Sequence, residues 1–259
     1  MQEIEVGAVE TLERAPGGPI LEICVDDPSG LAAAVAGGAD RIELCGALAL
    51  GGLTPSAGLI ALAARCGIPA HVMIRPRAGD FVYTESEIAL MCDDIARTLA
   101  MGVAGVVVGA TDPKGHPDRA ALIRFRDVAG AGVIVYHRAI DLAPDPCAAV
   151  ETLCALRYDH VLSSGGRHRA ADGVATLAAM VRAARGRLGV IVGSGVTADN
   201  AMALIRATGV HQLHASASRT QVWDDPRIAE FGFGPVGARM TSRDHVAALR
   251  RAMGGATCL

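Results

Sequence analysis

The sequence predicts a single (β/α)8 TIM barrel. Eight short β-like runs alternate with alanine-rich amphipathic segments, the pattern of parallel strands joined by right-handed crossovers. The 259 residues match the ~250 of one closed barrel, and no linker divides them. The chain is 51% hydrophobic yet holds one tryptophan, three tyrosines and four phenylalanines. Small apolar residues suit helices packed closely on a parallel sheet better than they suit a β-sandwich.

Residues 1–19 read as an N-terminal extension and 20–259 as the barrel. Strands are expected at 20–25 and 41–45, where Leu21-Glu22-Ile23-Cys24 and Ile42-Glu43-Leu44-Cys45 nearly repeat each other. A helix near 29–37 joins them. Residues 44–64 lack any Asp, Glu, Lys, Arg or His for 21 positions, long enough to span a bilayer. Gly51-Gly52 and Thr54-Pro55-Ser56 divide that stretch into a strand end, a loop and a new helix near 56–66, so no membrane span is expected. Further strands follow at 70–75, 105–109, 133–137, 160–164, 189–193 and 210–215. Helical segments lie near 85–101, 118–128, 146–156, 172–185 and 198–207, and 241–253 reads as a closing helix.

A net charge of −3 without any basic stretch argues against nucleic-acid and anionic-membrane partners. The high apolar content excludes disorder. Lys114 is the only lysine and sits in the turn-like run Asp112-Pro113-Lys114-Gly115. That removes a Walker A loop and makes a Schiff-base lysine hard to place, and no organic cofactor is expected. The seven cysteines, at 24, 45, 66, 92, 147, 154 and 258, form no CxxC. Met1 to Val9 carry acids and no apolar run, so no signal peptide is expected and the thiols imply a reducing, cytoplasmic compartment.

Strand side chains alternate between faces. If Ile23, Ile42 and Leu44 face the helices, then Glu22, Cys24, Glu43 and Cys45 face the barrel interior. The same parity turns His71, Met73 and Arg75 inward on the third strand, groups Val133, Val135 and His137 on the fifth, and Gln212 with His214 on the eighth. Cys24 and Cys45, about 5 Å apart if registered alike, would suit Cu(I), with Met73 a soft third ligand. The alternative is two small thiols that merely fill the barrel. The other five cysteines are expected to be inert. Glu22 and Glu43 repel when buried unless neutralised; Arg75 and Arg77 are the expected partners, with His71 as a further one. Either the set is a structural ion-pair layer, or one carboxylate acts as a general acid or base. His137 is placed to transfer protons, with Asp141 orienting it or pairing with an arginine. Ser163-Ser164-Gly165-Gly166, Gly193-Ser194-Gly195 and His214-Ala215-Ser216 follow late strands, where barrels often bind anions, although tight βα turns need glycine anyway.

These residues together resemble the copper homeostasis protein CutC family. The likeness rests on the two strand repeats with Ala39-Asp40-Arg41 before the second, on Gly51-Gly52-Leu53-Thr54-Pro55-Ser56 and on Ile74-Arg75-Pro76-Arg77. It continues through Gly79-Asp80-Phe81, His137-Arg138-Ala139 with Asp141, Val161-Leu162-Ser163-Ser164-Gly165, Gly193-Ser194-Gly195-Val196 and His214-Ala215-Ser216. Ala78, Tyr136 and Ile140 depart from the family pattern, and residues 1–19 extend beyond its usual start. The resemblance implies a (β/α)8 barrel, a cytoplasmic homo-oligomer (a dimer) and a role in copper tolerance, with Cu(I) ligands at Cys24 and Cys45.

Copper handling is therefore the first expectation. The rival is an enzyme acting on a small anionic or sugar-like molecule, phosphorylated or not. It would use Glu22, Glu43, His71, His137 and Asp141 for acid-base work. Arg75, Arg77, Asp80, Arg138, Ser164, Gly165, Gly193, Gly195 and His214 would bind the substrate. A copper carrier has no need of so many polar groups, and that surplus is the argument for catalysis.

Overall fold

The computed structural model describes residues 18–254. Most of the expected N-terminal extension, and Cys258, lie outside the described residues. Eight parallel strands close into one barrel in chain order: β1 (Ile20–Val25), β2 (Arg41–Leu44), β3 (Ala70–Met73), β4 (Gly105–Val108), β5 (Val133–Tyr136), β6 (His160–Ser163), β7 (Gly189–Val192) and β8 (Gln212–Ala215). The seam is closed by β8 against β1, with Leu213 opposite Leu21 and His214 opposite Glu22.

Helices α1 (Pro28–Ala36), α2 (Ala57–Ala63), α3 (Glu85–Ala100), α4 (Arg119–Ala129), α5 (Pro146–Ala155), α6 (Val174–Ala184) and α7 (Ala201–Thr208) follow the first seven strands. Their starts are written locally. Asp27 accepts from the Gly30 amide, with Pro28 in the first turn. Thr84 and Glu87 form a reciprocal capping box on α3, and Asp118 and Asp145 cap α4 and α5. Each such side chain satisfies amides that the helix itself leaves unpaired.

One addition was not predicted. After β8 the chain forms an antiparallel ribbon, β9 (Ser218–Gln221) with β10 (Ala238–Thr241), and the short helix α8 (Arg227–Glu230) lies between them. Ser218-Arg219-Thr220-Gln221 has no apolar alternation and is largely exposed, so the period-2 signal that marks a strand is missing. The closing helix is present as α9 (Arg243–Ala252) and packs on α1. Gly37 permits this approach, since a Cβ there would come within 2.5 Å of Val246 Cβ.

Two apolar layers follow from strand parity. Leu21, Ile23, Ile42, Leu44, Val72 and their equivalents pack between strands and helices. Cys45, Met73, Val107, Val135, Leu162 and Ile191 form a separate cluster inside the barrel. The inward and outward faces are those expected from alternation. Among the described residues, no helix is long and apolar enough to cross a membrane.

Candidate functional site

The barrel interior carries a charged layer below the mouth. Glu22 on β1 is paired with Arg41 on β2, Nε to Oε2 at 2.5 Å. Arg41 also donates to Gln212 Oε1 at 2.8 Å, and Gln212 Nε2 lies 3.2 Å from His160 Nδ1. On the other side His214 Nδ1 lies 2.8 Å from Glu22 Oε1, and His71 Nδ1 is 3.8 Å from Glu22 Oε2. Burial pushes the Glu22 carboxyl up, but Arg41 and His214 outweigh it and hold it well below the usual carboxylate range. Burial lowers His71 to about 4 against the opposing pull of Glu22.

The neutralising partners differ from those expected. Neither Arg75 nor Arg77 pairs with Glu22 or Glu43. Arg75 donates to the carbonyls of Leu50, Gly52 and Gly79, and Arg77 pairs with Asp80 and Glu87 at the surface. Arg41 takes the role instead. It shares the face of Glu43 and Cys45 on β2, so the parity already used for those two residues also points to it. Arg75 and Arg77 come after β3 has ended and turn into the loop.

Above this layer, Cys24, Glu43 and His214 meet from β1, β2 and β8. Their ligand atoms all lie within 4.8 Å of one another, and all three are buried. The register explains the trio: Cys24 stands opposite Glu43 in the ladder, not opposite Cys45. The expected lateral pairing of the two thiols is therefore offset by two residues. Cys45 lies behind Glu43, its Sγ 3.7 Å from Oε2, and Cys24 Sγ is directed to the Ala215 carbonyl. Burial raises Glu43, as does the charge of Glu22, while His214 opposes both. Burial and Glu43 push the Cys45 thiol up. Burial alone would lower His214, but Cys24, Glu43 and Glu22 hold it well above its ordinary value.

A cavity of about 390 Å³ opens over this trio and extends to His137, Arg138 and Asp141, with Met73, Arg75 and Phe81 along its walls. His137 is buried. Its Nδ1 accepts from the Ala139 amide at 3.1 Å, which leaves the proton of the neutral ring on Nε2. Burial and Arg75 lower it to about 3. Gly109 makes room for the ring, since a Cβ there would come within 2.2 Å of His137 Cε1. Asp141 does not orient His137. It pairs with Arg138 at 2.8 Å and accepts from Ser163 Oγ, from the Ser164 amide and hydroxyl, and from the Gly166 amide. That ties the loop after β5 to the loop after β6.

The remaining candidates lie off the cavity wall. Arg77 and Asp80 form a surface clamp. Ser164 is engaged with Asp141 and Arg138. Gly165 fits against Gly173 and Gly193 against Leu162 and His214, where no side chain has space. Gly195 has φ +72° and packs on Arg169.

With this geometry in hand, the comparisons with known proteins are specific. A profile of the CutC family matches residues 19–219. The chain belongs to the CutC family. A CutC family protein of Agrobacterium fabrum (strain C58) is 45% identical over 244 residues, covering 92% of this chain and 97% of the relative. One of Rhizobium meliloti (strain 1021) is 43% identical over 230 residues, covering 89% and 94%. A solved CutC structure from Streptococcus agalactiae, named for copper homeostasis, superposes with a TM-score of 0.73 at 32% identity, covering 76% of this chain and 98% of that one.

Proposed function

We propose that this CutC protein handles copper by taking Cu(I) at the barrel mouth. The observation that carries the reading is the meeting of Cys24, Glu43 and His214 within 4.8 Å. A thiol and an imidazole suit Cu(I), while a carboxylate suits it less. Cys24 and His214 are thus the anchoring ligands, and Cys45 supplies the second sulfur from the far side of Glu43. His214 Nδ1 is held by Glu22, which leaves Nε2 for the metal. A carboxylate behind a ligating histidine is the usual device for fixing the ring. Entry of the ion replaces the proton on that nitrogen.

Competition titration against a chromophoric Cu(I) chelator, under anaerobic conditions, tests this. Replacing Cys24 or Cys45 with Ser is expected to weaken binding by about 100-fold or more. Glu22→Gln, acting through His214, is expected to weaken it by about 10–100-fold. Wild-type affinity in the double serine variant would overturn the reading. The family resemblance also supports a cytoplasmic homodimer, which analytical ultracentrifugation checks as twice the chain mass.

A second reading is favoured by one observation. Glu43 Oε1 and His137 Nε2 are both buried without hydrogen-bond partners, and both residues line the same cavity. They suit acid-base chemistry on a small anionic or sugar-like molecule, with Glu43 as base and His137 as donor. A folded Glu43→Gln variant that loses turnover of a metabolite found by thermal-shift screening supports it. Failure of the screen, together with strong destabilisation of Glu43→Gln, counts against it.

A further inference from the structure

We propose that the His137 end of the cavity binds the carboxylate of a small organic monoanion, at a subsite separate from the sulfur-bearing end. The inference deepens the second reading above and rests on it for the presence of a small-molecule ligand.

The first observation is a charge without a counter-charge. Arg75 is buried, only 6% exposed, and its hydrogen bonds go to the carbonyl oxygens of Leu50, Gly52 and Gly79. Its Nε has no partner, and among the described residues no carboxylate pairs with it. Carbonyl dipoles orient a guanidinium but leave its full charge in place, and an uncompensated charge held out of water is costly. Asp141, the carboxylate that shares the cavity wall at this end, is already saturated by Arg138, Ser163, Ser164 and Gly166.

The second observation is a donor with a fixed direction. The Ala139 amide holds His137 Nδ1 as an acceptor, so the neutral ring presents Nε2–H. That group is buried and has no protein partner. Leaving such a donor unmet away from water is costly. Phe81 joins the two residues into one wall: Arg75 Cζ lies 4.8 Å from its ring centroid, and the His137 ring centroid also lies 4.8 Å away.

One uncompensated positive charge and one aimed N–H donor match a single negative charge. A phosphate monoester carries about −1.5 to −2 at neutral pH. It would leave surplus negative charge in a cavity that Glu43 also lines. The ~390 Å³ of space restricts the ligand to a small molecule.

The test uses the full-length, copper-free protein in isothermal titration calorimetry and in NMR of 15N-histidine-labelled samples. The probes are (S)-lactate, its neutral analogue propane-1,2-diol, and inorganic phosphate. Lactate is expected to bind saturably and to shift the His137 Nε2–H resonance. Phosphate is expected to bind at least tenfold more weakly, and the diol not at all. His137→Phe, folded by circular dichroism, is expected to weaken lactate binding at least tenfold. If that variant does not fold, the His137 resonance of the wild-type protein decides. The proposal is overturned if lactate does not bind, if it leaves the His137 resonance or the variant's affinity unchanged, or if phosphate or the diol binds as tightly. Lactate binding without turnover of any screened metabolite sinks the acid-base reading and leaves this subsite standing. Turnover of a metabolite by a protein that does not bind lactate has the opposite consequence.

Discussion

His214 Nδ1 lies 2.8 Å from Glu22 Oε1 across the seam where β8 meets β1. The last strand of the barrel is thus joined to the first by the same side chains that frame the candidate metal site. One side-chain contact bridges the closing strand pair and orients the imidazole proposed as a copper ligand.

Breaking that contact is expected to be costly. Glu22→Gln leaves Arg41 and His214 buried without their shared counter-charge, and unfolding in urea should report a loss of about 3–5 kcal/mol. The wild-type carboxylate also confers an acid sensitivity. Its folded pKa is depressed, so its contribution is present above the unfolded value of about 4.3 and fades as pH falls below it. The urea midpoint of Glu22→Gln should accordingly vary less with pH in that range.

His137 and His71 extend the acid sensitivity to milder pH. Their folded values are lowered to about 3 and about 4, while an unfolded histidine titrates near 6.5. Below about 6.5 the unfolded chain takes up protons that the folded chain refuses, so stability falls with pH. The slope is about 1.4 kcal/mol per pH unit for each residue until its folded value is reached. Replacing His137 with Phe should remove one such increment from a pH series of urea midpoints between 4 and 6.

Gly109→Ala is expected to disturb the site without touching a ligand. The new Cβ would come within 2.2 Å of His137 Cε1, and overpacking of this kind costs about 1–3 kcal/mol. A lowered melting temperature together with a shifted His137 ring resonance is the expected pair of readouts. An unchanged resonance would show that the ring does not lie over Gly109.

Asp141→Ala removes the acceptor shared by Ser163, Ser164, Gly166 and Arg138. Hydrogen exchange at the Ser164 and Gly166 amides should rise at least tenfold, with global stability lower by about 1–3 kcal/mol. Slow exchange at those amides in the variant would assign the brace to other contacts.

Limited proteolysis is expected to confine trimming to the first nineteen residues and to leave one fragment, since chain termini are common sites of nicking. Two stable fragments of similar size would contradict a single domain.

Much of this protein was readable from the chain alone, because the signals concerned are local. Alternation within Leu21-Glu22-Ile23-Cys24 and Ile42-Glu43-Leu44-Cys45 determined which side chains face inward, since a strand repeats every two residues whatever lies beside it. Eight such runs with helices between them determined the barrel. Pairing across strands is not local. It depends on the stagger with which the sheet closes, and that stagger set Cys24 beside Glu43 instead of Cys45 and brought Arg41, not Arg75, to Glu22. The β9–β10 ribbon was not legible because β9 is polar and carries no apolar period, and β10 offers only Ala238 and Met240 in alternation, too short a run to mark a strand. Parity chose the faces of the strands; only the closed barrel, by fixing how far each strand slides along the next, decided which of those residues meet.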